Sequence, residues 1–265
     1  MANDIIPPTR RQIEYVLFDM DGLMLDSERI YTRVTNQILA PYGAEMTWDI
    51  KAGLMGKPER AAAEHLLSFF PGISLTIESY LTERTIIQDQ LWPTVPLLPG
   101  VRKLVTHLKS HNIQIAVATG SKRRNFELKT VNHQDVFGLF EGKVVCGDDA
   151  ASDLPGGGNG KEFVIRGKPE PDVFLVAARE LLGRDVGEPQ GEVNEKQTEE
   201  RAKGLVFEDS LPGMQAGRRA GMHVVWVPDS SLLDVEYNGE ERADQLLKSL
   251  EEFRPEEWGL PPYSD

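Results

Sequence analysis

The chain has 265 residues, of which 40% are hydrophobic and 27% charged, a composition typical of globular proteins. The net charge of −13 at pH 7 argues against nucleic acid as a partner, because phosphate backbones are bound by basic surfaces. No apolar run approaches the roughly 18 residues that a membrane-spanning helix needs, so a membrane protein is not expected.

The amino terminus and the cysteine content favour a cytoplasmic protein. Residues 1–11 contain two adjacent prolines and no apolar central stretch, unlike a signal peptide. Cys146 is the only cysteine, so no intramolecular disulfide can form, which fits a reducing cytosol. We therefore expect a cytoplasmic location, with a monomer as the default assembly.

Short apolar runs, most of them rich in branched and aromatic residues, predict five buried strands. They are Tyr15–Met20, Ile113–Ala118, Val144–Cys146, Leu205–Phe207 and Val224–Val227. Helical patterns lie between them, including Val101–Lys109 and Leu211–Ala220. This alternation predicts an α/β fold with a doubly wound, Rossmann-like parallel sheet, whose ligands bind at the carboxyl ends of the strands.

The interval between the first two predicted strands is too long for a single crossover connection. It is predicted to hold three helices, Glu28–Leu39, Pro58–Phe70 and Ile77–Leu91. The last of these places its apolar residues on one helical face, namely Ile77, Tyr80, Leu81, Ile87 and Leu91. We therefore predict a helical subdomain over residues 29–96, inserted into a core formed by residues 1–28 and 97–265.

Two polar stretches are predicted to be flexible surface loops. Residues 151–162 include three consecutive glycines and little apolar content. Residues 186–203 are almost wholly polar and charged.

Two carboxylates follow the first predicted strand, in the motif Phe18-Asp19-Met20-Asp21-Gly22. Alternation along a strand would point Asp19 and Asp21 to the same side, and the glycine lets the chain turn. Because an unpaired buried carboxylate is costly, we expect a cation or a bound ligand beside them. An ordinary acidic turn that closes a strand is the alternative.

Two further motifs follow predicted strands. Glu208 and Asp209 come directly after the fourth one, and acidic residues at the ends of two parallel strands can hold a hard cation such as Mg²⁺. Thr119 and Gly120 follow the second one and precede a helix, where hydroxyl and free N–H groups bind phosphate. A simple helix cap would show the same pattern as Thr119 and Gly120.

A lysine lies in the motif Gly167-Lys168-Pro169-Glu170-Pro171-Asp172. The prolines stiffen the chain before a helix and restrict the direction in which Lys168 projects. Its ammonium group could neutralise a phosphate or an attacking carboxylate. A solvated loop lysine is the alternative.

In their order along the chain, the motifs at Asp19, Thr119, Lys168 and Glu208-Asp209 resemble the signature motifs of the haloacid dehalogenase superfamily. The predicted insertion resembles the helical cap of its phosphoglucomutase-like branch. Other segments are similar to eukaryotic pseudouridine 5'-phosphatases. They are Val105-Thr106-His107-Leu108-Lys109, Leu128-Lys129-Thr130, Cys146-Gly147-Asp148-Asp149, Val206-Phe207-Glu208-Asp209 and Gly259-Leu260-Pro261.

The resemblance implies a role for the acidic residues. Asp19 would be the nucleophile and Asp21 the general acid and base. Mg²⁺ would be held by the Asp19 carboxylate, the Asp21 backbone carbonyl and Asp209, with Glu208 close by.

It also implies which residues bind the substrate. Thr119, the Gly120 N–H and Lys168 would bind the transferring phosphoryl group. In the cap, Lys57 and Arg60 lie near positions where relatives place a substrate-binding residue.

The resemblance therefore predicts a magnesium-dependent phosphatase of a small phosphorylated metabolite, with pseudouridine 5'-phosphate as the best candidate, acting through an aspartyl phosphate. A β-phosphoglucomutase-like sugar-phosphate mutase would share every core residue and stays open. Receiver domains of signalling proteins also gather acidic residues, a hydroxyl and a lysine, but they lack the Asp21 position and a cap.

Overall fold

The computed structural model describes residues 12–54, 59–150, 153–154, 164–229, 237 and 239–264. Within these residues a six-stranded sheet has the strand order β3-β2-β1-β4-β5-β6, and every neighbouring pair is parallel. The strands are β1 (Tyr15–Phe18), β2 (Gln114–Ala118), β3 (Val144–Val145), β4 (Gly204–Glu208), β5 (His223–Trp226) and β6 (Gln245–Leu246). This confirms the predicted parallel α/β fold and adds β6, a two-residue strand that the sequence did not indicate.

The central strand β1 is buried on both faces of the sheet. Val16 and Phe18 belong to one apolar core, and Tyr15 and Leu17 belong to the other. A strand covered by helices on both sides needs apolar residues at every position, which explains the continuous run in the sequence.

The register of the sheet determines where the polar side chains emerge. Phe18 is aligned with Val117 of β2 on one side and with Phe207 of β4 on the other. The residues that follow these positions therefore leave the sheet at the same edge. In an open parallel sheet, ligands bind at this edge, at the topological switch point where the strand order reverses. Here that point lies between β1 and β4.

In the described part of the chain, five α-helices lie between β1 and β2, and the first four are called here the inserted helices. They are α1 (Ser27–Leu39), α2 (Trp48–Leu54), α3 (Glu59–Ser68) and α4 (Ile77–Leu91). Helix α4 packs against α1 and α3, and α2 packs against α3. The predicted bounds of α4 are confirmed, whereas α2 was not predicted. On the predicted apolar face of α4 only Tyr80 is buried, and its other apolar residues are half-buried.

Of the remaining α-helices, the first directly precedes β2 and the others follow it. They are α5 (Val101–Ser110, before β2), α6 (Arg123–Thr130), α7 (Gln134–Phe137), α8 (Asp172–Val176), α9 (Glu195–Arg201) and α10 (Leu211–Arg219). None of the helices in the described part of the chain combines the length and the apolar character needed to cross a membrane.

The prediction of a flexible loop over residues 186–203 is wrong where α9 forms. Asn194 caps this helix in a capping box, accepting a hydrogen bond from the Gln197 N–H while the Gln197 side chain accepts one from the Asn194 N–H. Arg201 is buried and donates from Nε to the Val186 carbonyl at 2.6 Å. Capping and this buried contact stabilise a segment whose polar composition indicated disorder. The other predicted loop, 151–162, lies outside the described residues except for positions 153 and 154.

Candidate active site

Three buried carboxylates meet at the carboxyl edge of the sheet. Asp19 directly follows β1, and its backbone N–H donates to the Phe207 carbonyl at 3.0 Å. Glu208 ends β4, and Asp209 follows it. One carboxylate oxygen from each of the three lies within 4.8 Å of the others. The two acidic motifs, nearly 190 positions apart in the sequence, therefore form one cluster.

Lys168 joins this acidic cluster. Its Nζ forms ion pairs with Asp19 and with Glu208, the latter at 2.5 Å. The ammonium group also lies 5.1 Å from the centroid of the Phe174 ring, on α8. Lys168 is thus held by specific contacts and is not the solvated loop lysine that its motif also allowed.

The electrostatics of the cluster are unbalanced. Among the described residues, three buried carboxylates face the single ammonium group of Lys168. Burial raises the pKa of Asp19 to about 7; Lys168 opposes this shift, and the charge of Glu208 adds to it. Burial also raises the pKa of Asp209 well above its usual range, and the negative charges of Glu208 and Asp19 add to it. A divalent cation would supply the positive charge that Asp19 and Asp209 need to ionise together.

Asp209 has the geometry of a cation ligand. No hydrogen-bond donor among the described residues reaches its carboxylate, while its backbone carbonyl accepts from Nε1 of Trp226 at 2.8 Å. The chain at Gly22 passes so close that an added Cβ would lie 2.1 Å from Oδ2 of Asp209. Oxygen ligands in a compact acidic site are what Mg²⁺ prefers, so the residues fit this ion.

Asp21 lies beside this cluster but has different partners. Its Oδ2 accepts a hydrogen bond from the Ser121 hydroxyl at 2.5 Å, and its Oδ1 is 2.5 Å from Nζ of Lys129. Burial acts to raise the pKa of Asp21, but Lys129 and Ser121 outweigh it and the pKa is lowered. Ser121 directly follows Gly120, and Lys129 lies in the segment Leu128-Lys129-Thr130. The sequence predicted a role for neither, because no spacing rule connects them to Asp21.

Thr119 and Gly120 connect β2 to the start of α6. The Thr119 N–H donates to the Val145 carbonyl at 3.0 Å, and the Thr119 hydroxyl accepts from the Ser121 N–H at 3.1 Å. These bonds shape the turn so that both residues face the space in front of Asp19.

A cavity of about 810 Å³ lies between the edge of the sheet and the inserted helices. One wall includes the site residues that the sequence motifs predicted, namely Asp19, Asp21, Thr119, Gly120, Lys168 and Asp209. The opposite wall comes from all four inserted helices and the residue after α4, and includes Tyr31, Thr35, Tyr80, Arg84, Gln88 and Trp92. Glu208 lies behind the first wall, in contact with Lys168.

Of the two predicted cap residues, Arg60 is not among the described residues that line this cavity. Arg60 is exposed at the start of α3, where it pairs with Glu64 at 3.2 Å and Glu78 at 3.0 Å. Lys57 lies outside the described residues. Within the described part of the inserted helices, the basic residues that line the cavity are Lys51 and Arg84.

The chain is similar to known proteins in both sequence and fold. The model of a hydrolase family, the haloacid dehalogenase-like hydrolases, matches residues 13–221. The protein (DL)-glycerol-3-phosphatase 2 of Arabidopsis thaliana is 41% identical over 258 residues, covering 97% of this chain and 95% of that protein. A probable pseudouridine-5'-phosphatase of Drosophila melanogaster is 37% identical over 265 residues, covering 100% of both chains. The crystal structure of CbbY from Rhodobacter sphaeroides in complex with phosphate matches the fold with a TM-score of 0.63 at 24% identity, over 91% of this chain and 96% of that one.

Proposed function

Because the chain belongs to the haloacid dehalogenase-like hydrolases and is a phosphoric monoester hydrolase, we propose that it hydrolyses pseudouridine 5'-phosphate in a magnesium-dependent reaction through an aspartyl phosphate on Asp19. The observation that carries this proposal is the convergence of Asp19, Asp209 and Lys168 on one wall of a cavity that Asp21 also lines.

Asp19 is the nucleophile of this proposal. One of its carboxylate oxygens attacks phosphorus, the bond from phosphorus to the leaving oxygen breaks, and an aspartyl phosphate forms. A carboxylate is a weak nucleophile, so it must be aligned, and the ion pair with Lys168 holds it at the cavity wall. The same ammonium group, with Thr119 and the Gly120 N–H, would bind the phosphoryl oxygens as negative charge develops.

Magnesium has a defined place in this scheme. The ligands would be the Asp19 and Asp209 carboxylates and the Asp21 backbone carbonyl, with Glu208 close by and already hydrogen-bonded to Lys168 and Ser210. When bound, Mg²⁺ would neutralise charge on the nucleophile and on the phosphate.

Asp21 is the proposed general acid and base. It lines the same cavity as Asp19. Lys129 and Ser121 lower the pKa of Asp21, so its carboxylate must take up a proton from solvent when the anionic phosphate binds beside it. In the first step this proton passes to the leaving oxygen, and in the second the Asp21 carboxylate takes a proton from the water that cleaves the aspartyl phosphate. One residue can serve both steps because both occur on the side of phosphorus opposite Asp19. The leaving oxygen departs from that side, and the attacking water later approaches from it.

The inserted helices would bind the organic part of the substrate. We assign residues 29–96 to a cap over a core of residues 1–28 and 97–265, with the cavity between them. The aromatic side chains of Tyr31, Tyr80 and Trp92 line the cap side. Such a wall suits a planar ring, which the base of pseudouridine 5'-phosphate provides.

Glycerol 3-phosphate is a second candidate, favoured by the 41% identity to an Arabidopsis glycerol-3-phosphatase. Its three-carbon alcohol carries no ring to pack against the aromatic wall. The two candidate functions therefore predict opposite rankings of kcat/KM when both substrates are compared directly.

The test is a phosphate-release assay on purified protein with Mg²⁺, using pseudouridine 5'-phosphate, glycerol 3-phosphate and β-glucose 1-phosphate with a trace of glucose 1,6-bisphosphate. We expect the highest kcat/KM with pseudouridine 5'-phosphate and no appreciable glucose 6-phosphate. Asp19→Asn should lose all turnover, because an amide does not attack phosphorus, whereas Asp185→Asn, a surface control, should keep it.

Three outcomes would contradict parts of this proposal. An equal or better kcat/KM with glycerol 3-phosphate would replace the substrate. Fast formation of glucose 6-phosphate with little free phosphate would indicate a mutase. A tenth or more of wild-type turnover in Asp19→Asn would exclude Asp19 as the nucleophile.

A further inference from the structure

Lys129 is a wholly buried lysine on α6. Its Nζ lies 2.5 Å from Oδ1 of Asp21, 3.1 Å from the Ser121 hydroxyl and 3.3 Å from the Tyr31 hydroxyl. The ammonium group also lies 4.3 Å from the centroid of the Trp92 ring. The ammonium group of Lys129 therefore has four specific partners among the described residues.

Lys129 has no direct access to the substrate. It is absent from the described residues that line the cavity, whereas Asp21, Ser121, Tyr31 and Trp92 all line it. Lys129 thus lies behind Asp21 as seen from the cavity. Any effect that it has on the reaction must pass through the residues that it touches.

A methionine or leucine would fill this volume at a lower desolvation cost. Replacing a buried ion pair by apolar residues of similar volume is often neutral or stabilising, so stability alone is a weak reason for an ammonium group here. Unlike an apolar side chain, an ammonium group can form charge-assisted hydrogen bonds, which hold an acceptor at a defined position.

The acceptor that Lys129 holds is the carboxylate of Asp21. Lys129 contacts one oxygen and Ser121 the other, and Ser121 is itself in contact with Lys129. With both oxygens held, the carboxylate plane cannot rotate freely about the bond that joins it to Cβ. The lone pairs not used by Lys129 and Ser121 then keep fixed directions.

We propose that Lys129 is a positioning residue, which together with Ser121 fixes the Asp21 carboxyl group in the orientation in which, once protonated, it gives its proton to the leaving oxygen. This inference rests on the acid–base role of Asp21 in the proposed function. Lys129 is held in turn by Tyr31 of α1 and by Trp92, which follows α4. The orientation of Asp21 therefore depends on how the inserted helices pack against the sheet domain.

The test uses two esters that differ in their need for a proton. Glycerol 3-phosphate expels an alkoxide, which must be protonated as it leaves, whereas p-nitrophenyl phosphate expels a stable phenolate. The first step is followed in single-turnover experiments, as glycerol release after rapid quenching and as the burst of nitrophenolate. The leaving-group ratio is the glycerol rate constant divided by the nitrophenolate rate constant.

Lys129→Met keeps most of the side-chain volume and removes the charge. We expect it to lower the first-step rate constant with glycerol 3-phosphate by about 100-fold, the low end of what general acids contribute. The nitrophenolate burst should fall by less than about tenfold, and KM should change little, because Lys129 does not touch the substrate. The matched control Lys109→Met, on the surface of α5, should leave the leaving-group ratio unchanged.

An equal loss with both esters, or no loss with either, would overturn the proposal. Should Lys129→Met not fold, Tyr31→Phe decides, since it removes only the hydroxyl group that contacts Lys129. Its leaving-group ratio should fall by at least about threefold, the low end of what a single hydrogen bond contributes, and an unchanged ratio would overturn the proposal. If the wild type turns over pseudouridine 5'-phosphate but not glycerol 3-phosphate, the nucleotide, which also expels an alkoxide, replaces glycerol 3-phosphate in the ratio. A wild-type protein that hydrolyses none of the three esters would instead refute the phosphatase function, and this inference with it.

Discussion

Replacing Gly22 by alanine should weaken Mg²⁺ binding through Asp209. Gly22 has a φ of +79°, and an added Cβ would lie 2.1 Å from Oδ2 and 2.8 Å from Cγ of Asp209. Heavy atoms that are not bonded to each other rest at about 3.5 Å, so the Asp209 carboxylate would have to move by about 1 Å or more. Its position as a cation ligand would then be lost.

Gly43 provides a matched control for backbone strain. It also has a positive φ, +65°, but an added Cβ would meet no atom within 4 Å. A non-glycine residue in the left-handed region costs about 1–2 kcal/mol, and both variants should bear this cost. For a chain of this size, a loss of 1 kcal/mol lowers Tm by about 2–4 °C.

The assay is phosphate release as a function of Mg²⁺ concentration. We expect Gly43→Ala to show a lower Tm with a wild-type Mg²⁺ requirement. Gly22→Ala should raise the half-saturating Mg²⁺ concentration by about 10–100-fold, the range found when the support of a metal ligand is disturbed. Equal Mg²⁺ requirements in the two variants would show that Asp209 does not bind the ion or that its position is not set by Gly22.

Two further predictions concern metal removal and pH. A chelator should stop turnover and Mg²⁺ should restore it, whereas Ca²⁺ should inhibit because its larger, looser shell misaligns the attack; full activity in chelator would exclude the metal site. Burial acts to raise the pKa of Asp244, but His223, the Val224 N–H and Arg218 outweigh it and lower the pKa to about 2. The stability that Asp244 contributes should therefore be present above the unfolded-state pKa of about 3.9 and be lost as the pH falls toward 2. The Tm of Asp244→Asn should lie below that of wild type at pH 5, and the two Tm values should converge as the pH falls from about 3.9 toward 2. A Tm difference that persists over this pH range would contradict the lowered pKa of Asp244.

The strands and the acidic motifs could be predicted because each depends on a local pattern. A strand covered by helices on both faces is apolar at every position, as in β1, and such runs are visible in any sequence. Asp19 and Asp209 stand where such runs end, and the parallel sheet brings the ends of neighbouring strands together. The polar composition of residues 186–203 led to the wrong prediction of a flexible loop. A capping box and the buried contact of Arg201, rather than apolar content, stabilise α9.

The tertiary structure alone decided which side chains surround Asp21 and the cavity. Lys129 lies 108 positions from Asp21 in the sequence, and its contact depends on how α6 packs against Trp92. Arg60 is held by acidic neighbours away from the cavity, while Lys51 and Arg84 line it. From sequence alone, a basic residue on the surface of a helix could face the cavity or face away from it, because its packing partners are not known. Sequence periodicity gives the face of a helix, but the docking of one helix on another, a sum of many weak contacts, determines what that face meets.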